Sequence, residues 1–277
     1  MYSHNAFSRF FNISKNHGFE FDKPYIKKFG FNGEYKFKVV LMKCVKNSLI
    51  ELDNKKQSIK GSVNDCKLSE NIIRAKQRIF ELAFCNPWDF FFTGTLNPKK
   101  YDRTDLNKFH KDFTQFIRDF NKFHNCNIKF LIVPELHTDK KSWHLHGFLY
   151  GLDLLYLKQF QIGDKMGKGI ADKVFKGDII YNWLAYSKKF GFCDLEPIRN
   201  HEAVSKYITK YINKELAQNI TELNAHLYYH SRGLSFAEKI DIKKELIEWQ
   251  SISPSFENEF CKLFWLDEQQ FNTFISF

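Results

Sequence analysis

Residues 128–150 read IKFLIVPELHTDKKSWHLHGFLY. Two runs rich in branched and aromatic residues flank the polar stretch 138–142, which predicts two antiparallel strands joined by a turn. Residues two apart on a strand point the same way. His144 and His146 therefore share one face, while Trp143, Leu145, Gly147 and Leu149 share the other. A hairpin symmetric about Asp139 and Lys140 puts Glu135 directly across from His144, so that a carboxylate and two imidazoles converge. Glu135, His144 and His146 are accordingly the candidate metal ligands, with His137, on the same face as Glu135, as the reserve. Pro134 has no N–H for the ladder and predicts a bulge or an edge position at that point.

Outward from the hairpin, the segment 69–84 repeats its apolar residues at helical spacing, with Arg74, Lys76 and Arg78 mainly elsewhere on the wheel. It reads as a basic amphipathic helix. Trp88 to Leu96 is short and aromatic, as expected of a buried central strand. Leu106, Phe109, Phe113, Phe116, Ile117, Phe120 and Phe123 then step by three and four along a helix that starts near the capping residue Thr104 and packs on a sheet. Beyond Gly151 the expectations are a short helix to Phe160, a glycine-rich loop from Gly163 to Gly177, a helix over Tyr181 to Tyr186, a strand over 191–197 and a last strand within 226–234. Residues 1–68 form an N-terminal accessory segment with a strand at Tyr35 to Leu41, and residues 235–277 a C-terminal tail.

The second segment that matters is 204–214, VSKYITKYINK. On a helix Tyr207 and Tyr211 are neighbours, and Lys210 and Lys214 each follow a tyrosine by three. At roughly 100° per residue the tyrosines fall between the apolar side, Val204, Ile208 and Ile212, and the lysine side. Such a boundary is also where an ordinary amphipathic helix places tyrosine. Chemistry adds weight to the pair. A tyrosine attacking a phosphodiester must be close to its phenolate, from an ordinary pKa of ~10, and a nearby ammonium favours that form. It also requires a divalent cation to neutralise charge on the phosphate. Two histidines and a carboxylate suit zinc hydrolases and non-haem iron oxygenases as well; the tyrosines and the basic charge favour phosphodiester chemistry.

Composition bounds the alternatives. With 277 residues and 43% hydrophobic content the chain can bury a real core. A formal charge of +10 points to a polyanion, with nucleic acid ahead of a membrane surface. Six cysteines without a C-x-x-C pair indicate neither a zinc knuckle nor a disulfide framework. No signal-peptide pattern and no apolar run near ~18 residues is present, so the expectation is a soluble intracellular protein without a membrane partner. No P-loop pattern occurs, so the expectation is a chain without a fused P-loop helicase.

Together the segments resemble the HUH endonucleases, specifically the rolling-circle replication initiators of small phages and plasmids. Phe91 to Pro98 resembles the family's first motif, a Thr-containing strand followed by a turn. His144-Leu-His146, preceded by Glu135, is similar to the histidine motif, and Tyr207-Ile-Thr-Lys-Tyr211 to the tyrosine motif of the two-tyrosine group that includes microvirus initiators. The order and spacing of the three carry the resemblance, over residues 69–234. Gly94 departs from it, standing where related strands often carry a larger apolar residue.

The resemblance implies an α+β fold with a central antiparallel sheet of ferredoxin-like or RRM-like character. It implies Mg²⁺ or Mn²⁺ as cofactor, and single-stranded or hairpin origin DNA as partner. A separate host helicase and polymerase would act with it, in the bacterial cytoplasm for a phage- or plasmid-encoded copy. It also implies nicking through a 5′-phosphotyrosine, with Tyr207 initiating, Tyr211 as its partner and Lys210 assisting. The competing readings are a non-catalytic nucleic-acid-binding module, a phosphodiesterase that activates water, and a relaxase or transposase of the same superfamily.

Overall fold

The computed structural model describes residues 11–12, 21, 23–42, 45–46, 65–137, 139, 141–212 and 227–275. They divide into two compact units, one made of the described residues within 63–235, and a second made of those within 1–62 and 236–277.

In the first of these units, α1 (Asp65–Phe84) precedes β1 (Phe90–Thr95), and α2 (Leu106–His124) leads into the hairpin of β2 (Lys129–Leu136) and β3 (Trp143–Tyr150). Then follow β4 (Leu157–Gln159), α3 (Lys168–Phe175), β5 (Tyr181–Trp183), α4 (Leu184–Lys189), β6 (Cys193–Pro197), α5 (His201–Tyr207) and β7 (Tyr229–His230). The strands form one antiparallel sheet in the order β7-β2-β3-β1-β6-β5-β4. The fold is α+β, consistent with an RRM-like core. Alternation on the strands decides the rest. Phe90, Phe92, Phe130, Ile132, Leu145, Leu149, Cys193 and Leu195 form one buried face and share a core with Phe109, Phe113, Ile117 and Phe120 of α2. The phenylalanine stripe is thus the helix-on-sheet contact its spacing predicts.

Glu135 pairs with His144, and the ladder runs without a bulge from Lys129–Tyr150 to Leu136–Trp143. The symmetric hairpin is therefore present. On the other side of β2 only Leu131 and Ile132 pair with β7, so β2 is an edge strand at Pro134 among the described residues. The missing N–H costs the ladder nothing there.

Several local expectations are corrected. Asp105, not Thr104, caps α2: its carboxylate accepts from the N–H of Lys108 at 2.8 Å, while Thr104 bonds Asp102. The segment after Gly151 makes only a 3₁₀ turn at Leu154–Tyr156 before β4. Helix α3 stands inside the glycine-rich stretch, and Tyr181–Trp183 is a strand that continues into α4. The last strand is confined to Tyr229–His230, and His226 lies outside the described residues.

The other unit holds a five-stranded antiparallel sheet in the order Glu238–Ile240, Tyr25–Phe31, Glu34–Met42, Cys261–Asp267, Phe256–Glu257. Helix Glu268–Phe274 shares its core, which includes Ile26, Phe37, Val39, Phe264, Leu266, Phe271 and Phe274. Strands from the first 68 residues and from the C-terminal segment thus belong to one sheet.

Candidate active site

The face of the sheet opposite α2 carries the candidate residues in three rows, because residues paired across antiparallel strands project together. Glu135, His144 and Thr95 make one row; Val133, His146, Thr93 and Asp194 the next; Leu131, Phe148, Phe91 and Glu196 the third. Glu135 pairs with His144 through the backbone, yet its side chain leans diagonally to His146, with Oε2 2.9 Å from Nε2. His144 Nδ1 lies 3.3 Å from the Thr95 hydroxyl, and its ring stacks on His137 at 4.6 Å between centroids.

Helix α5 supplies the tyrosines. Asn200 caps it through a bond from the N–H of Ala203, and His201 Nε2 lies 3.0 Å from the carbonyl of Phe84 at the end of α1. The α-helix ends at Tyr207 and tightens into a 3₁₀ turn over Ile208–Tyr211, with the Thr209 hydroxyl donating to the carbonyl of Lys206. The continuous helix expected through this segment is corrected at that point. Crowding by β-branched Ile208 and Thr209, together with that back-bond, favours leaving the α geometry. The pair still meets, with the Tyr211 hydroxyl donating to that of Tyr207 at 3.1 Å. Lys210 Nζ sits 3.5 Å from the Tyr207 ring centre and 4.8 Å from that of Tyr211. Lys214 lies outside the described residues.

The two tyrosines differ in surroundings. Tyr211 is 6% exposed and stacks flat on His146, with centroids 4.1 Å apart. Tyr207 is 45% exposed and meets Phe91 edge to face. Burial, and then the bond it donates to Tyr207, push the Tyr211 phenol well up. Burial also works against the Tyr207 phenolate, but the Lys210 ammonium and the Tyr211 hydroxyl outweigh it and hold that phenol below its usual range. Tyr207 is thus the more readily ionised of the two.

Burial, followed by the neighbouring His144 and the positive charge of Lys210, holds His146 down to about 3, and burial lowers His144 as well. Both imidazoles are neutral at pH 7, the form that coordinates metals. Among the described residues no group of three or more His, Cys, Asp or Glu side chains is placed to hold a metal ion. Two features of the donors nonetheless suit a divalent cation. The imidazoles are neutral, and the 2.9 Å between Glu135 Oε2 and His146 Nε2 matches the roughly 3 Å separating adjacent ligands at ~2.1 Å from an octahedral ion. His146 Nδ1 is buried and has no hydrogen-bond partner among the described residues, so none of them supplies the acceptor that usually orients a ligating histidine through its other ring nitrogen.

Residues 89–216 match the family model for the replication-associated protein ORF2. The matched region is a little under half of the chain and contains all seven residues singled out above, Glu135, His137, His144, His146, Tyr207, Lys210 and Tyr211. Over that region the chain is similar to a replication-associated family, which supports reading it as a replication initiator. Comparison with curated proteins and with solved structures yields no match. Among the described residues no helix is long and apolar enough to cross a membrane.

Asp194 was not among the residues singled out from sequence. It is 7% exposed on the candidate face, and burial, with the charge of Glu196 next, raises its carboxyl to about 7. The signal was the alternation Cys193-Asp-Leu-Glu196, whose apolar members belong to the core. Placing its polar members on the site required knowing that β6 pairs with β1.

Proposed function

We propose that the chain is a replication initiator that nicks single-stranded or hairpin origin DNA through a covalent tyrosine intermediate. The observation that carries this reading is the hydroxyl pair of Tyr207 and Tyr211, 3.1 Å apart and docked through Tyr211 on His146. An ammonium beside the phenol, neutral imidazoles and a carboxylate thus stand within one patch.

In this mechanism the Tyr207 oxygen attacks the scissile phosphorus. Its phenolic proton is released to solvent, favoured by Lys210. The P–O3′ bond breaks, the 3′-oxygen takes up a proton as it leaves, and the phosphate remains joined to Tyr207 at the 5′ end of the downstream strand. Tyr211 stays protonated and donates to the developing Tyr207 phenolate, which steadies and aims it. Rejoining is the reverse, with the free 3′-hydroxyl attacking the phosphotyrosine, or Tyr211 accepting a second strand. A divalent cation, Mg²⁺ or Mn²⁺, held by Glu135, His144 and His146, would polarise the phosphate and offset the charge of the transition state. His137, stacked on His144, is the alternative ligand.

The test is incubation of the full chain with single-stranded origin DNA and Mn²⁺, followed by denaturing electrophoresis. Wild type should give a DNA adduct that survives detergent, and Tyr207→Phe should reduce first-strand adduct by about 10³-fold or more, as expected when a nucleophile is lost. Cleavage that persists in the Tyr207→Phe, Tyr211→Phe double variant would mean that water is the nucleophile. Binding without cleavage of any cognate strand would favour the non-catalytic module.

A further inference from the structure

Tyr207 also lines a cavity of about 430 Å³ whose lining includes none of the histidines. Its apolar wall is made by Phe91, Ile179, Pro197, Ile198 and Val204, drawn from β1, the segment after α3, the end of β6 and α5. That volume is in the range of small-molecule sites, and Ile179, 44% exposed, is an apolar side chain left at its mouth. Apart from Tyr207, no residue of the cavity takes part in the chemistry above.

The polar groups around it are of both kinds. Lys173 holds both oxygens of Glu196, at 2.7 and 2.8 Å, and Arg199 bonds Asp178 at 3.2 Å. These are half-exposed pairs, weak enough to exchange partners with a ligand. A carboxylate offers about four lone-pair sites, and one lysine does not fill them. Asn200 commits its oxygen to the N–H of Ala203, which leaves its amide nitrogen as a donor. A partly apolar cavity lined by both acceptors and donors suits a nucleobase better than a phosphate, because the cations already have carboxylate partners.

We propose that this cavity receives one unstacked base of the nucleotide flanking the scissile phosphate, and that Glu196 and Asp178 select a base bearing an exocyclic amino group, against thymine. The base lies along the Phe91 wall with its hydrogen-bonding edge toward the carboxylates, the usual way that single-stranded nucleic acid is read. Adjacency to Tyr207 links the two sites: a nucleotide seated there brings the neighbouring phosphate to the hydroxyl. The inference rests on Tyr207 being the nucleophile, and its test has an arm that does not.

In the first arm the full chain is incubated with Mn²⁺ and a pool of single-stranded oligonucleotides carrying a random window, and the covalent adducts are sequenced around the break. Wild type should deplete thymine about tenfold at one of the two positions flanking the break, the discrimination of one good base contact. Ile179→Trp, which fills the mouth, and Glu196→Gln, which changes the acceptor, should flatten that position to under about threefold and leave other positions as they are. A wild type indifferent at both flanking positions, or variants with an unchanged pattern, would overturn the assignment. The second arm titrates Tyr207→Phe protein with a single-stranded oligonucleotide containing one 2-aminopurine, an amino-bearing fluorescent base. Binding should change its emission, and Ile179→Trp combined with Tyr207→Phe should abolish the change. Emission that responds equally with and without the tryptophan contradicts the pocket, whatever the fate of the nicking reaction.

Discussion

Tyr207 and Tyr211 are the same residue type four positions apart, and their surroundings differ. One is half open, under an ammonium and accepting a hydrogen bond; the other is buried, donates that bond and lies on an imidazole. The pH dependence follows. In the proposed mechanism phenolate is the reactive form, so nicking should rise with pH until Tyr207 is ionised, and the lowered phenol should move that rise to lower pH. Lys210→Ala should move the rising limb to higher pH, and the rate at a fixed pH on that limb should fall about tenfold for each pH unit the limb moves. Single-turnover cleavage measured across pH 6 to 10 checks this; a limb unmoved by the substitution would remove Lys210 from phenol activation. At this scale the sequence was informative where backbone register governs: Glu135 does pair with His144. It was silent on the lean of Glu135 toward His146 and on Asp194, since side-chain direction and the partner of β6 depend on contacts far along the chain.

Among the elements, the hairpin of β2 and β3 is the most constrained. A Cβ on Gly147 would fall on the carbonyl oxygen of Leu131 and 2.9 Å from the Cα of Ile132, both backbone atoms of β2. The strands could accept it only by separating. Gly147→Ala is therefore expected to cost about 2 kcal/mol or more, at the upper part of the range for overpacking, read as a lowered urea midpoint. A midpoint within experimental error of wild type would show that the hairpin has slack. The strong periodic signals, α2 and the central strands, were legible because burial repeats along them. Helix α3 was not, since glycines at 163, 167, 169 and 177 mask a helix whose own interior contains one of them. Asn32-Gly33, with φ of 49° and 82°, forms the tight turn between Tyr25–Phe31 and Glu34–Met42. That pair is a strong local hairpin signal, and it gives the strand expected at Tyr35 to Leu41 its partner on the N-terminal side.

For the whole molecule, the pairing of Glu34–Met42 with Cys261–Asp267 joins segments more than two hundred residues apart. Local periodicity carries no information about such a partner. Stability against pH is a molecular property with an identifiable source. Asp194 is raised to about 7 by burial and by Glu196, against an ordinary 3.8. The folded unit therefore holds a proton that the unfolded chain has lost, and this contribution to stability, complete below pH ~4, is lost as pH rises to about 7. A difference of that size between folded and unfolded chain corresponds to something on the order of 4 kcal/mol. Asp194→Asn should remove that slope and be more stable than wild type at pH 8, while the two should be closer at pH 4. Urea denaturation of both proteins at the two pH values checks it, and a variant-to-wild-type difference that does not change with pH would mean that Asp194 is ordinarily ionised.

The central claim, that Tyr207 is the nucleophile of a DNA-nicking reaction, can be read directly from the covalent adduct. Trypsin separates the two tyrosines, since cleavage after Lys206 and Lys210 leaves Tyr207 to Lys210 as one peptide and starts the next at Tyr211. Mass spectrometry of adduct formed with single-stranded DNA and Mn²⁺, digested with nuclease and trypsin, should find the residual nucleotide on the peptide Tyr207-Ile-Thr-Lys210. Modification of the Tyr211 peptide alone, or cleaved DNA with neither peptide modified, would contradict the assignment.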